Sequence, residues 1–129
     1  MAEPIVFISR WRIRAGRRAA LEATYARAVG FIGSSKPRTA LFAAYLDEAG
    51  EELRIVHAVP DAAAMTDHFA GSEERSASVA DMIELLGFEV YGAAPAAALD
   101  QLRREAAAVP GAELRLLPVS IGGYLRAPV

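Results

Sequence analysis

Two predicted strands near the start of the chain are apolar on both faces. The segment 5–13 carries Ile5 and Phe7 on one face and Val6 and Ile8 on the other, and the segment 38–47 has the same pattern. Successive side chains of a strand point to opposite faces of a sheet. Because apolar side chains are not left in water over a whole face, the sheet must be covered on both sides.

The other periodicities place helices and further strands around these two. A helical stripe runs from Arg17 to about Gly33, and a turn at 47–51 joins the second strand to a third at 52–59. A second helix starts near Pro60, is broken at 71–72 and stops at Gly87, and a short fourth strand follows at 88–91. The resulting order βαββαβ is that of a ferredoxin-like α+β fold, with both helices on one sheet face.

The last third of the chain extends this pattern. A third helix opens at Pro95 and ends at Pro110, and residues from Leu114 onward are extended. Because Pro118 has no N–H to donate, this last piece is predicted to be an edge strand or a packed tail. With 129 residues, we predict a single domain over 1–129, with a ferredoxin-like core at 1–92 and a C-terminal helix and tail at 93–129.

The second apolar face of the sheet needs a cover, and the sequence allows two. One is the same face of a second copy, which would pair two sheets into a dimeric α/β barrel. The other is the third helix and tail of the same chain. We expect the homodimer, because twofold homodimers are the commonest oligomers and the exposed patch would be large.

Composition excludes several classes of function. The net charge is -2 and no long run of basic residues is present, which argues against a nucleic-acid partner. No apolar run is long enough for a membrane span, and no targeting segment is seen, so a soluble, cytoplasmic protein is expected. The absence of cysteine, of paired metal-ligating histidines and of a glycine-rich phosphate loop predicts no metal site and no nucleotide cofactor.

Five residues are candidates for a functional site. His68 lies near the break in the second helix, either as a proton acceptor or as a histidine that caps the break. His57 shares a face with apolar neighbours, which favours a hydrogen-bonded structural histidine over a site residue. Ser9 and Trp11 share a strand face that Tyr45 could join, forming either a surface for a flat aromatic ligand or ordinary aromatic core.

Three stretches resemble the dimeric α/β-barrel superfamily typified by the antibiotic biosynthesis monooxygenases. The first is the opening strand 6–13, followed by Arg14-Ala15-Gly16-Arg17. The second is the acidic hairpin 45–50. The third is the strand, acidic turn and alanine-rich helix of 56–68, which closes on His68.

This resemblance implies a small cofactor-independent monooxygenase-like protein that acts on an aromatic phenol or quinol. His68 would be the base, Tyr45 or Ser9 would donate a hydrogen bond to the oxyanion, and Trp11 would stack on the ligand. No cofactor is then needed, because the deprotonated substrate supplies the electrons. The alternative is a non-catalytic dimeric module that binds a small ligand or stabilises a partner, since one fold hosts both kinds.

Overall fold

The computed structural model describes residues 3–126. These residues form a mixed five-stranded sheet and four helices. In chain order the elements are β1 Ile5–Ile13, α1 Arg18–Ser35, β2 Leu41–Leu46, β3 Glu52–Val59, α2 Ala62–Phe69, α3 Ser72–Ala77, β4 Ile83–Tyr91, α4 Ala96–Ala107 and β5 Glu113–Leu117. The predicted ferredoxin-like α+β class is confirmed.

The strand that is apolar on both faces lies at the centre of the sheet. The strand order is β2-β3-β1-β4-β5. β1 pairs antiparallel with β3 and with β4, whereas β5 lies parallel to β4. Ser9 therefore faces Ile55 on one side and Phe88 on the other, and these three side chains point to the same face.

All the described helices that pack on the sheet cover this one face. Leu102 of α4 and Met65 of α2 lie in one cluster with Phe7 and Val90. Leu21 of α1 joins a second cluster around Ile13, Leu53 and Ile83. The core is thus a single helical layer on one side of the sheet.

The opposite face has no cover within residues 3–126. Val6, Ile8 and Val56 are only partly buried there, and Tyr45 is 61% exposed. α4 packs on the other face, and the residues after β5 lie exposed, with Val119 80% exposed. Within residues 3–126, the third helix and the tail therefore do not cover this face. The intramolecular cover that the sequence allowed is not formed there.

The prediction of one broken helix up to Gly87 was wrong in its second half. After α3 ends, a turn leads directly into β4, so Ile83 and Leu86 are in a strand and not in a helix. The strand predicted to start at Phe88 begins five residues earlier, at Ile83. These apolar residues have helical spacing, but they pair with β1 as a strand. The strand contains a bulge, since Arg10 faces Gly87 while Trp11 faces Leu85.

Gly87 allows a close strand contact and does not stop a helix. A Cβ at this position would lie 2.5 Å from the carbonyl oxygen of Glu113, the first residue of β5. The missing side chain lets the parallel edge strand approach β4.

Other elements agree closely with the sequence. The acidic turn closes the β2–β3 hairpin through the Asp47 carboxylate, which accepts from the N–H groups of Glu51 and Glu52. α4 follows Pro95, and β5 is an edge strand that ends directly before Pro118. No helix among the described residues has the length and apolar character to cross a membrane.

We predict opposite effects of alanine at two glycines. Gly87→Ala should lower the free energy of unfolding by about 1–3 kcal/mol, because the new Cβ displaces the backbone of β5. Gly30→Ala in α1 should raise it by about 0.5–1 kcal/mol, since open space surrounds that position and alanine favours the helix. Urea unfolding of both variants tests this, and equal effects would contradict the close contact.

Candidate functional site

A half-open cavity of about 150 Å³ lies between the sheet and the helices. Its floor is the helix-covered face of β1, β2 and β3, and its walls come from α1, α2, α3 and α4. The lining is mostly aromatic and aliphatic, with few polar groups. An apolar cavity of this volume is about the size that accommodates one benzene ring, and its open side leaves room for a larger flat ligand.

His57 forms part of the cavity floor and is held in one orientation. Its ring stacks on Phe7 with centroids 3.9 Å apart and planes 6° from parallel. Nδ1 lies 3.2 Å from the carbonyl oxygen of Phe7. Because a carbonyl only accepts, Nδ1 carries the hydrogen and Nε2 holds a lone pair.

Burial keeps the His57 imidazole neutral. Burial, together with the neighbouring His68 and Arg75, lowers the pKa of His57 to about 3. The ring is thus a hydrogen-bonded structural histidine, as the sequence favoured, and it also lines the cavity.

His68, at the end of α2, also lines the cavity and is buried. Its Nδ1 lies 2.7 Å from the hydroxyl oxygen of Thr39, just before β2. Burial, together with Arg75 and Lys36, lowers the pKa of His68 to about 4. When the Thr39 hydroxyl accepts from Nδ1–H, Nε2 keeps its lone pair and is the proton acceptor of this residue.

Two cations surround the end of α2. Arg75 of α3 donates to the carbonyl oxygens of His68 and Ala70, at 2.7 and 3.0 Å. Lys36 donates to the carbonyls of Asp67 and Ala70. These contacts satisfy the free carbonyls of a helix C-terminus. Because Arg75 also lines the cavity, this end of the site has a positive potential.

Ser9 and Trp11 share a strand face, as predicted, and this face lines the cavity. The indole Nε1 of Trp11 donates to the Ser9 hydroxyl at 2.8 Å. Ser9 is buried, and its own hydroxyl hydrogen is left to donate to another group. Trp11 meets Phe88 edge to face, which fixes the plane of its ring as a cavity wall.

Tyr45 does not join this site, so that prediction was wrong. In the β2–β3 register Tyr45 faces Arg54, while Phe42 and Ala44 face His57 and Ile55. Tyr45 is therefore on the uncovered face, and it is absent from the cavity wall. Phe42 is the β2 aromatic that the alternation places in the site.

Three site residues were missed by the sequence analysis. Tyr25 of α1 stacks on Phe42, its hydroxyl is buried without a partner, and burial together with Tyr45 raises its pKa to about 12. Arg75 of α3 and Glu105 of α4 also line the cavity. Helical spacing alone does not distinguish these positions, because the facing sheet decides their role.

The described residues contain no group of three or more His, Cys, Asp or Glu side chains that could hold a metal ion. The polar groups of the cavity are instead two neutral imidazoles, the hydroxyls of serine, threonine and tyrosine side chains, the Trp11 indole N–H, the Gln101 amide, one guanidinium and one carboxyl. Such a set suits an uncharged or anionic organic ligand that is held by a few directed hydrogen bonds.

We predict that the folded protein loses stability as the pH falls from about 6.5 to 5. Both histidines have pKa values below their usual range in the folded state, so the unfolded state binds more protons in this window. Each contributes up to about 1.4 kcal/mol per pH unit. Urea unfolding at several pH values measures this slope.

His57→Gln and His68→Gln should each remove about half of that slope. Burial raises the pKa of Glu105, so its protonation stabilises the folded state as the pH falls and opposes the effect of the histidines. Comparing the variants with the unmodified protein separates the histidine contribution from that of Glu105. A slope that is unchanged in the double variant would contradict neutral buried histidines.

Comparisons with known proteins agree on the fold. No protein-family model matches the chain, and no curated protein matches it in sequence. Among solved structures, MupZ from Pseudomonas fluorescens is similar with a TM-score of 0.71 at 16% identity, over 98% of this chain and 91% of that one.

Two further structures cover about three quarters of the chain. SnoaB from Streptomyces nogalater, a cofactor-independent oxygenase, matches with a TM-score of 0.60 at 15% identity, over 73% of this chain and 96% of that one. A Bacteroides thetaiotaomicron protein, described as a candidate antibiotic biosynthesis monooxygenase, matches with a TM-score of 0.58 at 20% identity, over 73% and 90%. The chain thus has the ferredoxin-like fold of antibiotic biosynthesis monooxygenase-like proteins, as the motifs indicated.

Proposed function

We propose that this protein is a small cofactor-independent monooxygenase-like enzyme that acts on an aromatic phenol or quinol. The observation that carries the proposal is a neutral histidine, His68, in the wall of an aromatic cavity whose same end holds the Arg75 guanidinium. The fold shared with a cofactor-independent oxygenase supports the reaction class. The cavity supplies what that chemistry requires, which is a dry aromatic slot, a proton acceptor and a positive charge.

The first step is deprotonation of the ligand hydroxyl by Nε2 of His68. An imidazole with a pKa of about 4 is a weak base. The positive charge of Arg75 also lowers the pKa of a phenol bound beside it, which offsets the part of the lowering at His68 that comes from Arg75 but not the larger part that comes from burial. The result is a phenolate next to an imidazolium and a guanidinium, an arrangement that a low-dielectric cavity favours over separated charges.

The electron-rich phenolate then reacts with molecular oxygen. In a monooxygenation one oxygen atom enters the substrate and the other leaves as water, with every electron supplied by the substrate. The protein holds the ring against Trp11 and Phe7 and excludes water, while the hydroxyl of Ser9 donates to a ligand oxygen. Tyr25, whose raised pKa keeps it protonated, is a second donor on the cavity wall.

A non-catalytic ligand-binding module is the second candidate function. It is favoured by the low pKa of both histidines and by their internal hydrogen bonds, which a structural role would also produce. In that case the cavity binds a small aromatic or apolar molecule without turnover.

Oxygen uptake by purified, chelator-treated protein distinguishes the two. We expect uptake above the autoxidation blank with at least one of a panel of anthrols, naphthoquinols and hydroquinones. His68→Ala should lower the rate about 100-fold or more, because it removes the proton acceptor, and Arg75→Met should lower it about tenfold.

Arg103→Gln is the matched control, because Arg103 is exposed on α4 and forms no part of the cavity. It should react at the rate of the unmodified protein. His68→Gln serves as a second variant if the alanine variant unfolds. Uptake equal to the blank across the whole panel would contradict the enzyme and favour the binding module.

We also propose that the protein is a homodimer that pairs the uncovered sheet faces into an α/β barrel. The support is that the described chain offers no cover of its own for Val6, Ile8 and Val56. Charged groups rim this apolar strip, with Arg10 paired to Glu52 and Arg12 to Glu84. The rim therefore offers both acidic and basic side chains to the second copy of a twofold dimer.

Sedimentation equilibrium tests the pairing. The unmodified protein should sediment at twice the mass of one chain, and Val56→Arg should shift it to the monomer, because a charge would be buried at the centre of the interface. Val29→Arg, on the exposed side of α1, should remain dimeric. A monomeric unmodified protein would contradict the barrel.

A further inference from the structure

The cavity has a second polar end, separate from the histidines. Its residues come from α3 and α4: Ser72, Ser76, Gln101 and Glu105. The amide nitrogen of Gln101 donates to the Ser72 hydroxyl at 2.7 Å. Glu105 lies one helical turn after Gln101, whose side chain lowers the pKa of its carboxyl, so the four residues form one polar group.

The topology places this cluster well away from His57 and His68. α4 runs back from the end of β4 to the start of β5, which lies beside Gly87. The last turn of α4, with Glu105, is therefore at the level of Trp11, while both histidines contact Phe7. Phe7 and Trp11 are about 13 Å apart along β1 at the rise of a strand.

The two ends differ in their charge. Arg75 and two neutral imidazoles make one end suitable for an anionic oxygen. At the other end the acceptor is the Glu105 carboxyl, whose pKa is raised by burial and by Glu73, against the opposing effect of Gln101 and Arg104. A carboxyl here accepts a hydrogen bond from a hydroxyl group. The neighbouring cation, Arg104, is paired with Glu73 at the surface.

A second pocket adjoins the cavity at Glu105. A wider groove of about 550 Å³ lies on the far side of Trp11, between α3 and α4. The cavity and the groove share several wall residues: Trp11, Ser76, Ile83, Phe88 and Glu105. Glu105 therefore stands at their junction, where a flat ligand that is longer than one ring would pass.

We propose that Glu105 is a specificity-determining residue that binds a hydroxyl at the far end of an aromatic diol, a ligand with oxygens at both ends of a flat ring system. This inference rests on the proposed function, since it takes the first oxygen to lie at His68 and Arg75. It selects the dihydroxy class over the monohydroxy class, because a ligand without the second hydroxyl covers the half-buried Glu105 carboxyl and offers it no donor in place of water.

Calorimetric titration under argon tests the selection without turnover. The probes are 2-naphthol and 2,6-dihydroxynaphthalene. We expect the unmodified protein to bind the diol about tenfold more tightly, as one hydrogen bond to a carboxyl allows. Glu105→Leu should bring this ratio close to one and leave the affinity for 2-naphthol unchanged or higher, whereas Glu105→Gln should keep most of the ratio.

Asp100→Asn is the matched control, because Asp100 lies on the same helix and pairs with Arg103 at the surface. It should leave both affinities unchanged. Equal binding of the two probes by the unmodified protein, or an unchanged ratio in Glu105→Leu, would overturn the role of Glu105 and leave the proposed function standing. If neither probe binds the unmodified protein, the proposed function falls and this inference with it.

Discussion

The pairing of β1 on both of its edges is the constraint on which the rest of this structure depends. With β3 on one side and β4 on the other, alternate β1 side chains are held on one face at fixed spacing. Phe7, Ser9 and Trp11 thereby become the floor of the cavity. The bulge between β1 and β4 sets the register of these two strands. The position of Phe88 depends on this register, and the orientation of Trp11 depends on Phe88.

The electrostatics of the cavity follow from its dryness. Burial removes water from two imidazoles, and the nearby guanidinium of Arg75 adds a positive potential, so both rings stay neutral. The positive charge of Arg75 would also favour an anionic ligand oxygen, whereas burial by itself disfavours an anion as it does an imidazolium. Two buried neutral histidines should therefore make the folded state less stable in acid.

The two faces of the sheet have different roles. One is covered by α1, α2 and α4 and contains the cavity. The other keeps an apolar strip with Val6, Ile8 and Val56 between charged side chains, and the helix and tail that were candidates to cover it lie elsewhere. The proposed dimer and the proposed chemistry therefore use opposite faces. A substitution on one face is expected to test one proposal without disturbing the other.

The sequence by itself determined the order of the elements, the central strand and two of the cavity's polar groups, Ser9 and His68, because periodicity and turn residues are local signals. It did not locate the start of β4, since the spacing around Ile83 and Leu86 suits a helix until β1 pairs with it. Tyr45 and Phe42 are interchangeable in the pattern, and only the register with β3 decides which one faces the cavity. Arg75 and Glu105 acquire a role only through tertiary structure, because their neighbours in the site come from other elements of the chain.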